Sequence, residues 1–280
     1  MGQKRKFLVT DNARIDLSTH TWDDNLFSNL LVKENRIEKA KEILSSNQLT
    51  KKEHTKLLFY SVKKGKNKIA KFLINNLETP VAYATDISKE IERKIKDKSY
   101  KAEIAKKIGV GIKNLAYINI VHFGFDKKYH IGPMVIHKKL VDDAIGIFTD
   151  MCKACYPIEK IRLIDDYNAD DDLSMGDNNS CALCQRYITG RTDVYSNHSF
   201  GTAIDINPIE NPYQKGEKIY PPESKKYLDR KQNKKGLIKE GDPCHLAFTK
   251  RGWDWGGSWM QSKGYVDYQH FAKDPSVLKD

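Results

Sequence analysis

No run of apolar residues in this chain approaches 18, which excludes a helix long enough to cross a membrane. The apolar core of a secretory leader is also missing. The basic start Met1-Gly-Gln-Lys-Arg-Lys6 is followed by only Phe7-Leu-Val9 before Thr10-Asp-Asn12, so no signal peptide is expected in this chain. Acidic residues fall short of basic ones, 37 against 48, and the net charge is +11. Such a surface attracts polyanions. The lysines are spread along the chain and no nucleic-acid motif accompanies them, so nucleic acid is not the expected partner. Cysteine is scarce and odd in number, five in all, so the thiols cannot all pair with one another. What is present suffices for a globular core: 39% hydrophobic residues, with 30% charged ones for a strongly ionic surface. At 280 residues the chain exceeds the commonest domain size, so two units are expected.

The first unit reads as helical. Leu26 to Lys33, Arg36 to Ser46, Lys52 to Lys63 and Asn67 to Leu77 carry apolar residues at helical spacing, separated by Asn35, Asn47-Gln-Leu-Thr50 and Gly65. Val32-Lys33 aligns over Val62-Lys63 and Ala40-Lys41 over Ala70-Lys71, a short internal repeat of helix pairs. Thr55 to Gly65 followed by Ile69-Ala-Lys-Phe-Leu73 is similar to an ankyrin unit, although the T-P-L-H turn is missing. Repeat modules bury their faces by stacking, so two alone need a cap or a protein partner. The Lys-rich run from Lys89 to Lys107 reads as one solvated helix with mixed i to i+4 charge pairs. It places the boundary near Gly109-Val-Gly111, giving a helical domain over 1–110 and a second domain over 111–280.

Beyond the boundary the pattern is mixed. Tyr117 to His122 and Ile161 to Ile164 read as strands, Lys138 to Cys152 as a helix, Thr202 to Ile206 as a strand, and Cys244 to Arg251 as a helix. Strands and helices do not alternate regularly, so the expected class is α+β, with a small antiparallel sheet and flanking helices.

The chemistry-bearing stretch is Ser196-Asn-His198-Ser-Phe-Gly201-Thr-Ala203-Ile-Asp205, with Asp267-Tyr-Gln-His270 far downstream. Catalytic zinc is held by three imidazole or carboxylate ligands and keeps a fourth position open for water. His198, Asp205 and His270 meet that count, with Zn2+ as the expected cofactor. A spare carboxylate must take a proton from water and pass it to a leaving amine, and Asp267 is the candidate. Gly201 fits a turn between the first two ligands that a side chain would obstruct.

These residues sit in a longer pattern that resembles the M15 zinc peptidases of bacterial cell walls. Ser196, His198, Gly201, Ala203 and Asp205 match the family's S-x-H-x-x-G-x-A-x-D. Gly252 to Trp259 matches its aromatic glycine-rich run, and Asp267-Tyr-Gln-His-Phe271 its D-Y-x-H-F. Asp205-Ile-Asn-Pro208, Asn211-Pro-Tyr213, Phe123-Gly-Phe125, Pro157-Ile158, Asp171-Asp-Leu-Ser-Met175, Asn178-Asn179 and Arg186 continue the likeness over about 115 to 274. The resemblance implies a Hedgehog/DD-peptidase-like fold and zinc on His198, Asp205 and His270. It implies Asp267 as general base, and Arg186 holding a substrate carbonyl or carboxylate, a task its always-charged fork of donors suits. Ser196, Trp259 and Tyr268 are the further expected substrate contacts, with Trp253 and Trp255 beside the cleft.

The sequence departs from the family in three places. Ala272 follows Phe271 where relatives carry Glu. The segment before Arg186 reads Asn179-Ser-Cys181-Ala-Leu-Cys184-Gln185 and introduces two cysteines. The acid before the last ligand is Asp267, whereas relatives that trim D-Ala ends more often carry Glu, which leans towards the endopeptidase branch. With Cys152 and Cys155, the pair Cys181 and Cys184 makes two C-x2-C motifs, open to a structural zinc, to disulfides, or to free buried thiols.

The resemblance therefore implies hydrolysis of peptidoglycan stem peptides in the periplasm or outside the cell, first as an L-Ala-D-Glu endopeptidase and alternatively as a D-Ala-D-Ala type carboxypeptidase. Anionic wall polymer becomes the expected partner of the basic surface. The rival from another class is a non-catalytic wall-binding module whose helical repeats contact a protein.

Overall fold

The computed structural model describes residues 7–10, 13–16, 50–76, 79–260 and 264–279. It divides into two compact units, Met1–Thr79 and Pro80–Asp280.

In the first unit, strands β1 (Phe7–Thr10) and β2 (Ala13–Asp16) form an antiparallel hairpin. Helix α1 (Lys51–Lys63) starts at a capping box. The Thr50 hydroxyl accepts from the Glu53 amide, and the Glu53 carboxylate accepts from the Thr50 amide at 2.6 Å. Gly65, at φ +68°, ends that turn, and α2 (Asn67–Asn76) follows. Leu57, Leu58 and Val62 of α1 are buried, as are Ile69, Ala70, Leu73 and Ile74 of α2, and the two helices pack together. The helical expectations over Leu26 to Lys33 and Arg36 to Ser46, and with them the expected internal repeat, lie outside the described residues.

The second unit begins well before the expected boundary at Gly109–Gly111. Strand β3 (Ala82–Asp86) already pairs with the sheet of this unit. The Lys-rich run is two helices rather than one, α3 (Lys89–Ile95) and α4 (Ala102–Ile108), broken at Asp97, where φ is +61°. Buried bonds override the charge pattern there. The Ser99 amide and hydroxyl donate to Asp165 at 3.1 and 2.8 Å, and the Lys101 amide donates to Gln185 Oε1 at 2.7 Å. Ile95 is fully buried among Val110, Leu115, Val135, Leu163 and Leu183. The run is therefore sewn into this core and does not bridge two units.

Strands β4 (Leu115–Phe123) and β5 (Tyr129–His137) form a long antiparallel hairpin that runs from Leu115 opposite His137 to Phe123 opposite Tyr129, with β3 on its outer side. Helix α5 (Val141–Lys153) packs on β4 through a face that includes Ala144, Ile147, Phe148 and Met151. Strand β6 (Lys160–Ile161) is shorter than the expected Ile161 to Ile164, because the chain turns into a 3-10 helix at Ile164–Tyr167. After helix α6 (Asp171–Gly176), strand β7 (Asn179–Ser180) pairs in parallel with β6. Strand β8 (Ala203–Asp205) leads to the hairpin β9 (Tyr213–Lys215) and β10 (Lys218–Tyr220), and helix α7 (Pro243–Thr249) is capped by Asp242.

The chain finishes with strands β11 (Asp254–Trp255), β12 (Val266–Asp267) and β13 (His270–Ala272). They complete two further antiparallel sheets, ordered β11-β13-β8 and β10-β9-β12. The class is α+β as expected, with its antiparallel strands spread over several small sheets in place of one.

Candidate metal centre

The strand pair β8 and β13 sets the floor of the site. Their antiparallel register puts His270 opposite Asp205, Phe271 opposite Ile204, and Ala272 opposite Ala203. A second backbone bridge holds β8 from the other side: the Asp205 amide donates to the Cys181 carbonyl at 2.9 Å and the Cys181 amide returns to Asp205 at 3.2 Å. Asp205 thus sits between two neighbouring strand segments. Its carboxylate Oδ1 lies 2.9 Å from His270 Nδ1 and Oδ2 lies 3.1 Å from His198 Nε2.

His198 arrives on a 3-10 turn, Asn197–Phe200, that Ser196 caps by accepting from the His198 amide at 3.3 Å. Gly201 closes the turn at φ +67°, and a Cβ there would come within 2.7 Å of the His137 amide nitrogen. That amide instead donates to the Gly201 carbonyl at 3.0 Å, tying the turn to the end of β5.

The Ala182 carbonyl lies 2.5 Å from His198 Nδ1. A carbonyl only accepts, so Nδ1 carries the proton and the neutral ring offers its Nε2 lone pair to the cluster. That Nε2 is 3.1 Å from His270 Nδ1. Both nitrogens also face the Asp205 carboxylate, His270 Nδ1 at 2.9 Å and His198 Nε2 at 3.1 Å. Among the described residues these three are the one group of His, Cys, Asp or Glu close enough to share an ion, with all ligand atoms within 4.8 Å of one another. Burial alone would raise the Asp205 carboxyl, but His198 and His270 hold it well below the usual range. Burial disfavours charge on His198, and Asp205 outweighs it and raises that ring.

Asp267 lies on β12, paired with Tyr213 of β9. Its Oδ1 is buried without a hydrogen-bond partner among the described residues. Burial pushes its carboxyl up to about 6, opposed by His270 and reinforced by Asp205. Gly256 permits its approach, since a Cβ there would strike the Asp267 carbonyl and side chain. An orphaned buried carboxylate oxygen beside two facing imidazoles and a shared acid is a donor set that fits a divalent metal and a water on it.

Arg186 pairs through Nε with Asp171 at the start of α6, and both side chains are about three-tenths exposed. Sequence reasoning passed over Asp171 as one residue of a motif; a contact between residues in different elements leaves no local signal. The Ala182 carbonyl was missed for a plainer reason, since backbone groups carry no sequence identity.

Three expected substrate residues have structural work. Ser196 is buried and caps the His198 turn. The Tyr268 ring packs on the Arg230 guanidinium at 4.2 Å, while its carbonyl accepts from Trp255 Nε1 at 2.9 Å. Trp259 donates through Nε1 to Asp254 at 2.6 Å and sets its ring 5.4 Å from that of His270, so it does reach the cluster. All five cysteines are free thiols, and no bridge joins Cys152, Cys155, Cys181 or Cys184.

Residues 189–273 match the family model described as D-alanyl-D-alanine carboxypeptidase, of the M15 peptidases. No curated protein and no solved structure matches the chain. The matched segment holds His198, Asp205, Asp267 and His270 together with Trp259 and Tyr268, and supports a peptidase of the M15 kind there. It leaves out Arg186, which the sequence resemblance had pointed to, and Asp171, Cys181 and Ala182, which the structure attaches to the site.

Proposed function

We propose that the second unit is a zinc peptidase that hydrolyses peptidoglycan stem peptides. The observation that carries this reading is the convergence of His198, Asp205 and His270 within 4.8 Å, inside the segment that matches the M15 family model. These three residues would hold Zn2+. Bound there, zinc supplies Lewis acidity to a water and to the scissile carbonyl. Asp267 takes the proton from the attacking water and returns it to the leaving amine. A carboxyl raised to about 6 remains a base at neutral pH and is a better acid partner than an unperturbed one. Arg186 donates to the carbonyl oxygen as negative charge develops on it. The Ala182 carbonyl orients His198, and the Trp259 ring lies beside that of His270.

The first reading of the bond cut is L-Ala-D-Glu, favoured by Asp rather than Glu at 267. The second, removal of a terminal D-Ala, is favoured by the description of the matched family model. Digestion of defined muropeptides followed by mass spectrometry separates them: loss of one alanine marks the carboxypeptidase, and release of the whole peptide beyond L-Ala marks the endopeptidase. Binding without any change in mass would instead establish a wall-binding module. The +11 charge suits anionic wall polymer, and sacculus binding that ignores salt would sink that part of the proposal.

A further inference from the structure

Arg186 is held firmly at its backbone and by a single carboxylate at its tip. Its amide donates to Ser199 Oγ at 2.9 Å, that hydroxyl donates back to the Arg186 carbonyl at 2.7 Å, and the Ser196 amide donates to the same carbonyl at 3.0 Å. The guanidinium has less. Nε pairs with Asp171, and Nη1 reaches the Tyr187 carbonyl at a long 3.3 Å. The backbone of Arg186 is also tied to the centre: its carbonyl accepts from Ser196 and Ser199, which flank His198, and the His198 ring faces Asp205, a second acid whose charge acts on the same cation. A partly desolvated guanidinium does not stay unpaired. Its long stem lets it turn to whichever acid is left, and pairing with Asp205 would occupy the oxygens that a metal needs.

We propose that Asp171 is a positioning residue that holds the Arg186 guanidinium off Asp205, keeping the carboxylate free for the metal and the cation free for substrate. The proposal rests on the zinc ligands assigned above. Asp171 is suited to the task because it is anchored: it opens α6, where Asp170 caps the helix by accepting from the Leu173 amide at 2.9 Å. Asp171 touches neither substrate nor metal, so its effect must travel through Arg186. Removing Arg186 should therefore erase the consequence of removing Asp171.

The test is a double-mutant cycle on the full chain, read as Zn2+ affinity by competition with a chromophoric chelator. Asp171→Asn is expected to weaken zinc about tenfold, the scale seen when a residue that orients metal ligands is lost. Arg186→Met alone is expected to stay within about twofold of the parent, and Asp171→Asn/Arg186→Met to return to the Arg186→Met value. Additive effects, or an unchanged affinity in Asp171→Asn, overturn the proposal while leaving the zinc assignment in place. A parent protein that binds no zinc sinks both together. Should Asp171→Asn fail to fold because it strands a cation, recovery of folding in the double variant supports the pairing, and an unfolded double variant contradicts it.

Discussion

The cluster of His198, Asp205 and His270 and the wall beside it, formed by Arg186 and Asp171, hold their side chains by different means. Asp205 and His270 stand opposite each other because two strands are in register, and His198 is aimed by a capped turn closed at Gly201. Arg186 depends at its tip on one ion pair with a residue in another element. Groups held by a backbone ladder keep their place when a neighbouring side chain changes. A group held by a side-chain pair is only as well placed as its partner, and that makes the wall the adjustable part of the site.

The largest expected effect comes from removing a ladder-held group. Asp205→Ala should lose bound zinc and all measurable hydrolysis while the unit stays folded, as checked by metal analysis and circular dichroism; retained zinc would mean that Asp205 is not a ligand. Asp267→Asn comes next. It should keep zinc but lower kcat on the order of a thousandfold, the size expected for a lost general base. Full hydrolysis by this variant would remove Asp267 from its role.

A change to the Arg186 side chain itself should be smaller and leave the metal in place. Arg186→Lys keeps a charge but loses the rigid fork, and kcat/KM should fall about a hundredfold with zinc content unchanged. Gly201→Val tests the backbone side without touching a ligand. A side chain at φ +67° that also meets the His137 amide should cost about 2 kcal/mol, measured by denaturant unfolding, and weaken zinc because His198 shifts with the turn.

The smallest effect lies far from the centre, at Asp150. Burial works against its ionisation, but bonds from Lys250 and Arg251 outweigh it and hold the carboxyl below its usual range. A depressed carboxyl contributes stability above its unfolded pKa and loses it as pH falls through the folded value. Asp150→Asn should therefore lower stability at pH 7 by no more than about 1 kcal/mol, and the difference should shrink as pH falls below about 4 and vanish below the folded value. Equal destabilisation at pH 7 and pH 3 would contradict the assignment.

Legibility followed the same division. His198, Asp205, Asp267 and His270 could be singled out because short motifs carry them, and Gly201 because only a turn explains a glycine between two candidate ligands. Strand β4 and helix α5 announced themselves through apolar spacing. The break between α3 and α4 did not, since i to i+4 charge pairs suggest a continuous helix while Ser99, bonded to Asp165 in the core, decides otherwise. Asp171 was visible as a letter in a motif and invisible as a partner, and the placement of Arg186 was hidden with it. Ser196 was visible as a motif residue, while its bond to the His198 amide, which caps the turn that aims that ring, was not.

One measurement reaches the central claim most directly: digestion of a defined muropeptide, followed by mass spectrometry, with the protein as purified, after zinc is stripped, and after zinc is restored. The account predicts cleavage at one stem-peptide bond, its loss on stripping, and its return with zinc, none of which occurs in His270→Ala. Cleavage that persists in the stripped protein, or in His270→Ala, would contradict it.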